Sequence, residues 1–239
     1  MFRYLKYRLL TVLLLACCAF ILIIITQFES YAVNPKSIPD RLPALKIHPL
    51  PPTLANWQTK TESGDYFDQV KPPEFGHLVW SKFPIKVFVE RVGDRNASEG
   101  WVKTVLGAVL QWGIYLPLQV VDDAEIADIR ILHKAPPLQP GQMRSRSGET
   151  RYELYVSEEG DGGVLSHRCI IWLNPSQTGK YIAAVALHEF GHGLGIWGHS
   201  PVDTDVMYFS QVRNPPPISV RDINTLKRVY EQPTRLGWN

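Results

Sequence analysis

The sequence predicts an α+β fold: a set of short strands with two long helices and a closing C-terminal helix. Three observations predict it. Short alternating segments recur at 84–90, 118–121, 127–133, 152–156 and 169–173, as half-buried strands require. Segments 97–115 and 176–194 instead repeat apolar residues at helical spacing. Pro117, the prolines at 136, 137 and 140 and the glycine-rich loop 160–163 fall between these runs, where turns are expected.

The chain has 239 residues, enough for one sizeable domain with attachments. A formal net charge of +2 gives no reason to expect a nucleic-acid partner. Residues 9–25 carry no charge, Arg3, Lys6 and Arg8 precede them and Glu29 follows. That asymmetry keeps the N-terminus in the cytoplasm and sends the remainder across a membrane. Residues 1–32 are therefore read as a signal peptide cut near Ser30-Tyr31-Ala32, or as an uncleaved N-terminal membrane anchor. Six prolines between 35 and 52 mark residues 33–75 as an extended linker or pro-segment, with little regular structure expected from Trp57 to Lys71. The folded domain is expected over 76–239. Of three cysteines, two lie in the apolar segment, which leaves Cys169 without an intramolecular disulfide partner.

Within that domain, Pro84–Glu90 alternates as a strand. Trp101, Val105, Ala108 and Trp112 form one stripe of the first long helix, which Pro117 stops. Leu118–Val121 and Ala127–His133 are further strands, and residues 136–150 read as a loop whose Ser-Arg pairs are most simply solvated. Tyr152–Val156 and Cys169–Leu173 follow, separated by the glycine-rich loop 160–163. The second long helix has the stripe Ala183, Leu187, Phe190 and Leu194, offset from its histidines. Ser219 with Asp222 three residues on opens the closing helix, whose apolar side is Ile223, Leu226 and Tyr230.

The second long helix carries His188-Glu189-Phe190-Gly191-His192. Four residues apart, the two imidazoles lie one turn apart on one helix face, so both reach one metal ion. Glu189, one step round, touches a water on that metal without ligating it, which is the His-Glu-x-x-His arrangement of zinc peptidases. Gly195 is expected to end the helix in a left-handed turn. The chain then swings back to present His199, and three histidine ligands leave one coordination position open, as catalytic zinc sites do.

Together with Gly195, His199-Ser200, Met207-Tyr208, the Ser219/Asp222 helix start and Ala127-Asp128-Ile129, this motif resembles the metzincin zinc peptidases, and among them the matrixins. The resemblance covers roughly residues 76–232 and is strong over 183–230. It implies a metzincin-like twisted mixed sheet with an active-site cleft at the second long helix, and a zinc-dependent endopeptidase acting on protein or peptide substrates outside the cytoplasm, secreted or membrane-anchored and monomeric. Zinc-bound water is then the nucleophile, Glu189 the general base, and Met207 an apolar floor beneath His188, His192 and His199. It also implies a substrate lying as an added strand along the sheet edge.

One departure is that His199 stands a residue later than the family pattern, where Gly198 falls. Gly198 is expected to absorb the extra residue in an unusual turn, and Asp203 and Asp205 are substitute ligands. Gly64-Asp65 resembles another branch's aspartate latch but reads more simply as a turn. The loop before His167 resembles one that holds a second zinc and a calcium ion, so Ca²⁺ is a further candidate. An ordinary strand-edge role for His167, and a turn role for Asp161, are the simpler readings. His48 and His77 read as solvated, and His133 as a strand end with no visible partner. The alternative function is a catalytically inactive zinc-containing binding module of the cell envelope.

Overall fold

A computed structural model describes residues 42–59, 61–93, 95–141, 143–157 and 163–238. The expected signal or anchor segment 1–32, the first part of the proline-rich stretch and Asp161 with its neighbours 160–162 lie outside the described residues. Among the described residues no helix is long and apolar enough to cross a membrane.

Among the described residues, four helices and a five-stranded, mostly parallel sheet make an α+β arrangement. In chain order they are α1 (Pro52–Ala55), β1 (Ile85–Val89), α2 (Arg95–Val109), β2 (Leu118–Val120), β3 (Ile129–Leu132), β4 (Gly148–Ser157), β5 (Val164–Leu173), α3 (Lys180–Gly193) and α4 (Val220–Tyr230). The sheet order is β2-β1-β3-β5-β4. All neighbours are parallel except β4, which pairs antiparallel with β5 over its whole length and forms one edge. The alternation in β1 buries Ile85, Val87 and Val89, and β3 buries Ile129 and Ile131. The helix stripes meet beneath them: Trp112, just past α2, is fully buried and its indole N–H donates to the Leu187 carbonyl of α3 at 3.1 Å. The predicted Ser219 cap is present as a capping box, and Ile223, Leu226 and Tyr230 are buried.

Several expectations are corrected. Strands β4 and β5 are each ten residues long, so part of the expected 136–150 loop and residues 164–168 are strand. Cross-strand pairs such as Arg168–Glu153 at 2.8 Å support the polar positions along these strands. Helix α3 begins at Lys180, four residues late, because Gly179 at φ +56° holds a non-helical backbone before it. Chain ahead of Gly76 packs against the rest of the domain: Lys46 and Thr234 exchange backbone hydrogen bonds at 3.0 and 2.9 Å. Leu54, Tyr66, Val70 and Phe75 from the expected linker are all buried, and residues 57–71 carry two 3₁₀ turns. His48 stacks on Trp238 at 4.1 Å, His77 on Phe67 at 5.5 Å, and His133 meets the Trp101 ring edge-on at 5.0 Å.

His167 is not at a strand edge. It lies in β5, between β3 and β4, in the inward series Leu165, His167, Cys169, Ile171 and Leu173. Its ring stacks on Trp80 at 3.9 Å, and burial pushes its pKa down to about 3. Cys169 beside it is buried, and desolvation pushes its thiol pKa far up, so it stays protonated.

Because His167 takes up a proton in the unfolded chain near pH 6.5 and in the folded one only near 3, acid favours unfolding across that window. Relative to His167→Leu, the wild-type chain should lose up to roughly 1.4 kcal/mol per pH unit as pH falls below about 6.5. Urea unfolding of both proteins at neutral and mildly acidic pH measures the difference.

Candidate metal centre and cleft

The site is built where α3 ends. A helix end leaves carbonyls without intrahelical partners, and here several of them are satisfied. The Gly195 N–H donates to the His192 carbonyl at 2.9 Å and the Ile196 N–H to the Gly191 carbonyl at 3.1 Å, a Schellman closure. The Trp80 indole donates to the Gly193 carbonyl at 2.9 Å and the Tyr230 hydroxyl to the Leu194 carbonyl at 3.0 Å. Gly195 has φ +119°, and a Cβ on it would stand 2.3 Å from the Leu78 carbonyl oxygen, so both dihedral and space call for glycine.

This stop reverses the chain and brings three imidazoles together. The rings of His188 and His192 lie 4.9 Å apart, and His199 lies 5.4 Å from the first and 4.9 Å from the second. Among the described residues these three form the cluster of potential ligand atoms, all within 4.8 Å of one another. His188 Nδ1 donates to the Val206 carbonyl at 2.8 Å and His192 Nδ1 to the Ile196 carbonyl at 2.7 Å. A carbonyl only accepts, so each Nδ1 carries a proton and each Nε2 is the nitrogen left to face a metal. Burial, then the neighbouring histidines, lower the His192 pKa well below the ordinary range. Burial and then His188 lower that of His199. Both effects favour the neutral imidazole that ligates metal. Three imidazole nitrogens, two of them on rings held through the other nitrogen, fit a zinc ion.

The extra residue before His199 is accommodated differently from the expectation. Gly198 is not at positive φ. Its missing Cβ makes room for the chain at 69–70, since a Cβ would stand 2.2 Å from the Gln69 carbonyl oxygen. Neither substitute ligand joins the cluster. Asp203 is exposed, and buried Asp205 accepts from Ser200 Oγ at 2.5 Å and Arg221 Nε at 2.9 Å. The Asp65 carboxylate pairs with Arg228 at 2.7 Å. Met207 is fully buried, and a Cβ on Gly191 would stand 2.3 Å from its sulfur, so the methionine lies directly against the turn of α3 that carries the histidines.

Glu189 points into the same cleft while being almost wholly buried. Burial raises its carboxyl pKa, opposed by the His188 charge and the Thr150 hydrogen bond. The Thr150 hydroxyl lies 2.7 Å from Glu189 Oε2 and 2.8 Å from the Glu189 carbonyl oxygen. Gly148 lets β4 approach, because a Cβ there would stand 2.7 Å from Glu189 Cγ. The cleft encloses about 630 Å³ between β4 residues 148–150, the α3 histidines and the loop from Asp205 to Pro216. Arg146, expected to be solvated, lines the mouth of the cleft and pairs with Glu149 at 2.8 Å.

No family model and no curated protein matches this chain.

The roles of Thr150, Glu149 and Asp222 around the site were not legible in the motif itself. Gly148-Glu149-Thr150 offered one signal, a glycine beside polar residues at the start of a strand. Replacing Gly195 by alanine should lower stability by at least about 1 kcal/mol, from left-handed strain and the clash at Leu78. A lower denaturant midpoint with an unchanged slope is the expected reading.

Proposed function

We propose that this chain is a zinc-dependent endopeptidase of the matrixin type, hydrolysing peptide bonds in protein substrates outside the cytoplasm. The observation that carries the reading is the meeting of His188, His192 and His199 in one cleft with the carboxylate of Glu189. The three imidazoles would hold the ion through one nitrogen each. When bound, zinc supplies Lewis-acid polarisation of the scissile carbonyl and of a water molecule. Glu189 takes a proton from the attacking water and returns it to the leaving amine, so the C–N bond breaks with a neutral amine as product. Burial raises the basicity of its carboxylate, and Thr150 fixes its orientation.

The substrate would lie along β4, whose outer edge is unpaired in the sheet and whose first residues border the cleft. Edge pairing recognises a peptide main chain irrespective of side chains, which suits an endopeptidase. The location follows from the apolar segment 9–25 and its basic flank. The alternative of an inactive binding module draws on the displaced third histidine. With His199 beside the other two and Glu189 present, no observation favours it.

Purified chain should carry one zinc and digest casein in a chelator-sensitive way; zinc without turnover of any unfolded protein would overturn the reading. Glu189→Ala should retain the metal and lose about 10²–10⁴-fold in kcat. Thr150→Val should retain the metal and lose about tenfold in kcat, the equivalent of one hydrogen bond to a charged group. Metal analysis beside initial rates separates loss of chemistry from loss of zinc.

A further inference from the structure

Residues 61–71 form a strap that touches the first turn of α4 and the loop that carries His199. Tyr66 is buried, its hydroxyl donates to Asp222 Oδ1 at 2.6 Å, and its backbone N–H donates to Thr225 Oγ1 at 3.0 Å. The two Nη atoms of Arg221 donate to the Ser63 and Asp65 carbonyls, each at 3.2 Å. The Lys71 N–H donates to the Trp197 carbonyl at 3.2 Å, and the Gln69 carbonyl fills the space that Gly198 leaves open.

Two of these contacts continue inward to metal-site histidines. Asp222 accepts from the Val206 N–H at 3.0 Å, and the Val206 carbonyl is the group that orients His188. Arg221 Nε holds Asp205, and Asp205 holds the hydroxyl of Ser200, the residue after His199. A third contact ties the same strap to the same helix without leading to a ligand: Arg228 Nη1 lies 2.7 and 2.8 Å from the two carboxylate oxygens of Asp65.

We propose that the strap is a positioning element of the metal centre, with Tyr66 and Arg221 as its positioning residues: they fix the Val206 carbonyl and the His199 loop, so that three imidazoles converge before an ion arrives. The proposal rests on the reading of those histidines as a zinc site. It assigns a purpose to a segment that sequence composition marks as linker or pro-segment. It also explains the extra residue before His199, because the longer loop is seated on the strap at Gly198. Groups that orient metal ligands typically contribute about 10–100-fold to metal affinity, whereas a tie that only holds the fold contributes to stability alone.

The test compares full-length wild type with Tyr66→Phe, Arg221→Lys and Arg228→Ala, all prepared metal-free. Zinc affinity is read by competition with a chromophoric chelator, and Tm is read on the zinc-free proteins. Tyr66→Phe and Arg221→Lys should bind zinc about tenfold more weakly or worse, whereas Arg228→Ala should lower Tm and keep wild-type affinity. Unchanged affinity in the first two, or affinity losses in all three that track their Tm, would overturn the proposal. Wild type that takes up no zinc overturns the underlying metal-site reading, and shows itself before any variant is compared.

Discussion

The buried carboxylate of Asp222 is the interaction on which the site's geometry depends. It accepts from the Ser219 N–H at 2.7 Å, the Val206 N–H at 3.0 Å and the Tyr66 hydroxyl at 2.6 Å. The Met207 N–H lies at 3.4 Å. A carboxylate with two oxygens has about four acceptor positions, so one side chain closes a helix start, a turn and a distant segment together. Desolvation pushes its pKa upward and these donors push it back. Without them a buried carboxylate is costly, so the group and its partners stabilise each other only as a set.

The helix that presents His188 and His192 ends under a similar constraint. Its terminal carbonyls must find donors, and those donors come from the Gly195 turn, from Trp80 and from Tyr230. The turn that satisfies the helix also supplies the Ile196 carbonyl to His192. Helix termination and the orientation of His192 are therefore one piece of backbone geometry. Met207 closes the underside, where Gly191 offers no side chain. Close packing of this kind transmits displacement rather than absorbing it, which gives the surroundings of the site a small set of allowed positions.

Beyond the motif, legibility followed local physics. The α4 start was readable because Ser219 and Asp222 satisfy each other within one turn. The same Asp222 gave no hint that it also receives Tyr66, 156 residues away in sequence. His167 was readable in principle, since Leu165, Cys169, Ile171 and Leu173 alternate with it, yet a polar residue weakened the pattern. The proline-rich stretch misled because extended chain without periodicity reads as linker. Leu54, Tyr66 and Val70 are buried as isolated anchors, and isolated anchors have no period.

The sequence by itself determined the two-histidine helix, its glycine stop, the intervening glutamate and the order of strands and helices. Each depends on residues within a turn or two of one another, where spacing dictates direction. Only the tertiary structure decided that His199 joins the pair despite its extra residue, that Asp205 does not, and that Thr150 steadies Glu189. Those outcomes depend on which distant backbone arrives at a given place: Gln69 at Gly198, Arg221 at Asp205, and β4 beside α3 at Gly148. Spacing along a chain carries no record of such encounters, because they are set by how the whole core packs.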